Sequence, residues 1–291
     1  MKKHKLAVLA GLVTTLVLTG AAAFPAQAAK PQPISPRPYS ALGDSFAAGL
    51  GAGPVNTLGQ SAEAYPVVLA RGGNLNLNFL AVAGGTTAIV AADQIPLIPD
   101  TTQQVTLTVG GNDLGFVPKA MACFNALAAC AFSAADLGTL TESLSADIAA
   151  IHVAAPAATI YLTGYPLLFQ AAQTLQDNGL CVAGDTTTGP LVISEAQADA
   201  MDAGAVALNS AIMSAIAGPT YDYANYANYV DVTAAFTGHG LCGTPSSELP
   251  NPVSYINPVH VPATVIAVPL HPNAAGQQAY AASISAKGFK G

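Results

Sequence analysis

The chain has 291 residues, of which 52% are hydrophobic and only 9% charged, with a formal net charge of −7. That apolar content is enough for a large core, and the acidic balance excludes nucleic-acid binding and electrostatic docking on anionic lipid. The length suits one large α/β domain behind a short leader.

Met1-Lys2-Lys3-His4-Lys5 is a basic n-region, Leu6 to Leu18 an apolar run short for a bilayer span, and Ala26-Gln27-Ala28 a small-x-small cleavage site. Residues 1–28 therefore read as a secretory signal peptide. Residues 29–38, with four prolines, read as an extended lead-in, and 39–291 as a single domain. Cleavage takes three of the nine basic residues and none of the 16 acidic ones, leaving six against 16 and a net charge of −10. No later stretch is long and apolar enough to cross a membrane, so a secreted, extracellular protein without stable membrane insertion is expected, and a monomer.

Tyr39 to Leu42 is a strand candidate running into Gly43-Asp44-Ser45, and Ala64 to Ala70 looks helical. Phe79 to Val82 and Val105 to Val109 are strand-like, each ending in a glycine pair. Leu137, Leu140, Leu144, Ile148 and Ile151 recur at helical spacing. Thr159 to Leu162 is a strand ending at Gly164-Tyr165-Pro166. Ser194-x-x-Gln197 is a capping box for a helix through Ile216, stopped by Gly218-Pro219. Tyr229 to Thr233 is a last strand, Gly238 to Pro269 a long loop, and Pro272 suits position N1 of a final helix reaching about Ile284. Alternating strands and helices predict a mainly parallel sheet with helices on both faces, and functional residues on the loops beyond the strand C-termini. Ser45, Gly84, Asn112 and Gly164 all follow such strands.

A serine hydroxyl becomes a nucleophile when a base takes its proton. Of the four histidines beyond the leader, His271 opens a helix beside a loop and is the best base; His260, between prolines, is the weaker rival. His152 ends an amphipathic helix, where a cation complements the dipole, and His239 beside Cys242 reads as structural. An acyl-transfer intermediate needs oxyanion donors. The Gly84 N–H, the Asn112 side-chain amide and the Ser45 N–H are candidates; taken singly, Gly84-Gly85 also reads as a tight turn and Asn112-Asp113 as a helix cap. Cys123, Cys130, Cys181 and Cys242 allow three pairings in an oxidising compartment, of which Cys123–Cys130 with Cys181–Cys242 is preferred; without a Cys-x-x-Cys pair no metal site is expected. Tyr221, Tyr223, Tyr226 and Tyr229 read as strand-edge packing before an acyl groove.

Four blocks carry a resemblance to a known family: Gly43-Asp44-Ser45-Phe46, Ala83-Gly84-Gly85-Thr86-Thr87, Gly110-Gly111-Asn112-Asp113 and Leu270-His271-Pro272-Asn273-Ala274-Ala275-Gly276. Tyr65-Pro66, Gly164-Tyr165-Pro166, Val230-Asp231-Val232 and His239-Gly240-Leu241-Cys242 also match. The chain resembles the GDSL/SGNH serine hydrolases, specifically secreted bacterial lipases and esterases. The resemblance implies a three-layer α/β/α sandwich of flavodoxin-like type and a cofactor-free ester hydrolase acting on small-molecule or lipid esters. It also implies an oxyanion hole of Ser45, Gly84 and Asn112, and supports the preferred disulfides. Two departures stand out. Val268 occupies the position where the family usually has the triad Asp, so the resemblance implies a Ser45–His271 dyad whose histidine is oriented by the Val268 main-chain carbonyl. The third disulfide common among related lipases has no cysteines here. A carbohydrate O-deacetylase on the same scaffold, or an inactive surface or binding protein, are the alternatives.

Overall fold

The computed structural model describes residues 35–124, 126–127, 130–169, 180–217, 222–242, 253–261 and 268–290. The signal-peptide reading, most of the lead-in and Tyr221 lie outside the described residues, as do parts of the loops around 170–179 and 243–267.

Five parallel strands form the central sheet: β1 (Arg37–Gly43), β2 (Leu75–Phe79), β3 (Gln104–Thr108), β4 (Thr159–Thr163) and, after a small second sheet, β7 (Ala227–Val230). Their order is β2-β1-β3-β4-β7. Every neighbouring pair is parallel, as the alternation of strands with helices requires. β3 is buried along its whole length, which is why Gln-Val-Thr-Leu-Thr carries β-branched residues on both faces. The helices that return the chain are α2 (Tyr65–Gly72), α5 (Ala134–Ala154), α6 (Glu195–Ala217) and α7 (Ala274–Ala286). α2 packs beside α7 and α5 beside α6, giving the three-layer α/β/α sandwich. Contrary to the expectation that no stretch beyond the leader is long and apolar enough to cross a membrane, α6 is so by length and composition, because it is a core helix with half of its apolar stretch buried.

Helix starts follow local chemistry. Ser133 caps α5 by accepting the Asp136 N–H. Ser194 and Gln197 form a reciprocal capping box before α6. Pro272 does not take position N1 of α7: Asn273 is the cap, its side chain accepting the Gly276 N–H, and Pro272 immediately precedes it. Strand bounds shift as well. β1 begins at Arg37, inside the expected lead-in, and β2 covers Leu75–Phe79 instead of Phe79–Val82, because Leu75-Asn76-Leu77-Asn78-Phe79 has the period-2 alternation of a half-buried edge. Past Phe79 the ladder breaks: the Leu80 and Ala81 N–H groups both reach Ala41 O.

A second, three-stranded sheet, absent from the sequence reading, is built from β5 (Leu180–Thr186), β6 (Gly189–Ser194) and β8 (Val259–Val261) in the order β6-β5-β8. β8 arises inside the segment read as loop. Cys123 is bonded to Cys130, and Cys181 at the start of β5 to Cys242.

Candidate active site

β1 stops at Gly43, whose φ is +130°; a Cβ there would collide with the Thr108 carbonyl, so glycine is needed for this close approach to β3. The next residue, Asp44, caps the single turn α1 (Ser45–Ala48). Its carboxyl accepts the Phe46 and Ala47 N–H groups and its main-chain carbonyl the Ala48 N–H. Of the first-turn donors only the Ser45 N–H then lacks an acceptor among the described residues.

Ser45 Oγ lies 2.8 Å from His271 Nε2, across 226 positions of sequence. Both residues are 6% exposed. The His271 loop is clipped in place by Asn257, whose N–H bonds His271 O at 2.9 Å, whose O accepts the Leu270 N–H at 3.0 Å, and whose side chain reaches Gly51 O. The Phe46 ring stands 5.0 Å from the imidazole. His271 Nδ1 lies 2.8 Å from Pro269 O. This corrects the expectation for Val268: the orienting carbonyl is one residue closer. The reason is Leu270, fully buried with φ +63°, which rotates the 269–270 peptide so that its carbonyl faces the ring. A carbonyl only accepts, so Nδ1 carries the proton and Nε2 is left as the acceptor toward Ser45. Burial pushes the imidazole pKa below its ordinary value, against the smaller opposing effect of the Pro269 carbonyl.

The glycine block forms a turn closed by Gly85 N–H to Val82 O at 3.1 Å, with Gly84 at φ +80° in its third position. The Gly84 N–H has no acceptor among the described residues, and nothing lies within 4 Å of where its Cβ would be. Asn112 Nδ2 donates to Gly85 O at 2.8 Å, which fixes the amide plane and leaves its second hydrogen free. Asp113 locks the two blocks together by accepting the Thr87 N–H and hydroxyl at the start of α3 (Thr87–Ile89), which Thr86 caps by accepting the Ile89 N–H.

Two supports were not legible as such. Gln94, 2% exposed in a π-turn over Val90–Gln94, holds both main-chain groups of Gly43: Oε1 accepts its N–H at 2.7 Å and Nε2 donates to its O at 2.9 Å. The same Gly43 O accepts the Val82 N–H at 3.1 Å, so one amide ties the Ser45 turn to the glycine turn. Asn209 of α6 clamps the main chain of Tyr165 likewise. The Tyr165 hydroxyl then donates to Asp44 Oδ2 at 2.5 Å and accepts the Gly111 N–H at 3.1 Å, joining the serine and asparagine blocks. Burial raises the Asp44 pKa to about 7, against its hydrogen bonds from Tyr165 and the helix N–H groups. An isolated Gln in a turn carries no periodicity that marks it; its one signal is an uncharged amide inside an apolar run.

The other histidines are placed elsewhere. His260 pairs with Asp185 across β8 and β5, Nδ1 to Oδ1 2.7 Å. His239 stacks on Tyr255 and His152 on Tyr226, both at 3.8 Å between centroids. Tyr223 packs against Tyr226, and Tyr229 is partly buried against the core.

The profile of the GDSL-like Lipase/Acylhydrolase family matches residues 41–279. The chain is 32% identical to a lipase of Streptomyces rimosus over 263 residues, covering 84% of this chain and 91% of that protein. It is 29% identical to Lipase 1 of Streptomyces coelicolor over 282 residues, covering 92% and 94%. Among solved structures it is similar to phospholipase A1 from Streptomyces albidoflavus NA297, at 30% identity and TM-score 0.71, covering 87% of this chain and 99% of that one. It is also similar to an extracellular lipase from Streptomyces rimosus, at 27% identity and TM-score 0.68, covering 86% and 99%. The chain belongs to the GDSL-like lipase/acylhydrolase family and is a carboxylic ester hydrolase of the lipase and esterase type.

Proposed function

We propose that the protein is exported and hydrolyses carboxylic esters with at least one apolar side through a Ser45–His271 dyad. The observation that carries this reading is the 2.8 Å contact between Ser45 Oγ and His271 Nε2, with Nδ1–H held by Pro269 O. In the first step Nε2 takes the Ser45 proton as Oγ attacks the ester carbonyl carbon. The Ser45 N–H, the Gly84 N–H and the free hydrogen of Asn112 Nδ2 receive the oxyanion. The imidazolium returns its proton to the leaving alcohol. Water then attacks the acyl-serine by the same route in reverse, regenerating Ser45. Export is supported by the leader-like first 28 residues, by two disulfides and by the likeness to an extracellular lipase.

The test is hydrolysis of p-nitrophenyl esters across chain lengths, with a fluorophosphonate label and peptide mapping. The label is expected on Ser45, and Ser45→Ala is expected to lose at least about 10⁴-fold in kcat while folding normally. A folded Ser45→Ala protein with near wild-type hydrolysis would overturn the mechanism.

A further inference from the structure

Ser45 opens α1 and His271 closely precedes α7, so their 2.8 Å contact depends on how those two helices are held against each other. One side chain of α7 reaches across. Gln277 lies one turn inside the helix and is fully buried. Its Oε1 accepts the Tyr65 N–H at 2.8 Å, and its Nε2 donates to the Phe46 carbonyl at 3.0 Å. Phe46 directly follows Ser45.

Both partners are groups that helix ends leave open. Tyr65 is the first residue of α2, whose N-cap Ala64 offers no side-chain acceptor. Phe46 O belongs to the four-residue α1, where it otherwise accepts only the longer 3.3 Å bond from the Gly49 N–H among the described residues. A buried amide is stable only with both its ends bonded, and here the two ends bond two different helices from a third. Packing fixes its pose. One turn further along α7 the Tyr280 ring stacks on Tyr65 at 5.5 Å and stands edge-on to Phe46 at 6.5 Å. On the other side of His271 in sequence, the Asn257 side chain bonds Gly51 O, just beyond α1. The histidine limb is therefore tied to the nucleophile limb both before and after His271.

We propose that Gln277 is a positioning residue of the ester hydrolase: its amide sets the separation of α1 and α7, and with it the alignment of His271 Nε2 on Ser45 Oγ. The ring is held from behind by a neutral carbonyl, so no ionic attraction draws it into line. A displacement of about 1 Å at the reacting atoms costs about 10²-fold in rate, so such a bracket governs turnover as well as folding. The inference rests on the Ser45–His271 reading and assigns a residue that touches neither reacting atom.

Gln277→Met keeps the length of the side chain and removes both bonds. The folded variant is expected to lose about 10²-fold in kcat on p-nitrophenyl acetate with KM within about twofold, and to take a fluorophosphonate label on Ser45 correspondingly slower. In a His271→Ala background the same substitution is expected to cost less than about threefold more, because no base is left to align. Gln278→Met, at the exposed neighbouring position, is expected to keep the wild-type rate. Should Gln277→Met not fold, Gln277→Glu, which retains the acceptor for the Tyr65 N–H, carries the same measurements. The proposal is overturned by a folded variant with wild-type kcat, by a rise in KM alone, or by an undiminished further loss in the His271→Ala background. A wild type that neither turns over the ester nor takes the label on Ser45 overturns the hydrolase reading itself, and the positioning role with it.

Discussion

The carbonyl oxygen of Pro269 stands 2.8 Å from Nδ1 of His271, where a carboxylate is absent. A carbonyl fixes the tautomer as a carboxylate does, but it brings a dipole in place of a full charge and does not titrate. Burial therefore dominates the imidazole and lowers its pKa.

The pH profile follows. His271, as the proposed base, works only when neutral, so kcat/KM should hold at pH 7 and fall as pH drops through a value below the ordinary histidine value of about 6.5. Initial rates on a soluble ester between pH 4 and 8 measure it. An acid limb centred above that value would mean that a negative charge stabilises the imidazolium.

Gln94→Ala should leave the Gly43 N–H buried without its acceptor, at a cost of about 1–3 kcal/mol in denaturant unfolding. Because the same amide joins the turns bearing Ser45 and Gly84, kcat should fall more than KM rises. Stability loss with unchanged kcat would make the clamp purely structural.

Asn112→Ala removes one proposed oxyanion donor and should lower kcat by about 10²–10³-fold with little change in KM, since the contact strengthens in the transition state. A KM effect alone would instead make Asn112 a ground-state binding residue.

The sequence showed the sheet and the chemistry unevenly, for physical reasons. Ser45, Gly84, Asn112 and His271 were legible because each block ends a strand or opens a helix, where glycine and capping residues leave local signatures. The two long helices were legible from periodicity. β5, β6 and β8 were not, since Gly184, with a register shift beside it, and Pro190 break the alternation of the β5–β6 hairpin, and the three-residue β8 pairs with β5 across a non-local stretch of chain. Gln94 and Asn209 were invisible because their partners are main-chain atoms 51 and 44 residues away. Pro269 was missed by one residue because nothing local marks Leu270 for a left-handed backbone, a conformation costly to a non-glycine residue and retained here by its burial.

Asp44 adds a stability signature. Burial raises its folded pKa from 3.8 to about 7, so the folded state holds a proton that the unfolded chain has released. The stabilisation is fully present below about pH 4 and is lost as pH rises through about 7. Asp147, also raised to about 7 by burial, acts in the same direction. Asp44→Asn should thus flatten, though not abolish, the decline of unfolding free energy between pH 4 and 7. An unchanged slope would show Asp44 ionised throughout that range.

The last prediction concerns the orienting group itself. If the Pro269 main chain holds Nδ1–H, no side-chain exchange can delete it. Val268→Ala should keep kcat within about tenfold, since only packing beside the loop changes. The acids of the domain, converted singly to amides, should do the same, setting aside Asp44, which caps the turn that bears Ser45, and Asp113, which holds the Thr87 main chain. Asp231 is the informative case: its carboxylate accepts the Thr233 N–H and hydroxyl, a local turn that an amide oxygen can maintain. A triad acid exchanged for its amide costs about 10⁴ in kcat, because the amide favours the wrong histidine tautomer. Such a loss in a folded Asp231→Asn protein, or at any other remaining acid, would mean that a carboxylate reaches His271 during turnover and that the Pro269 contact is not what orients the base.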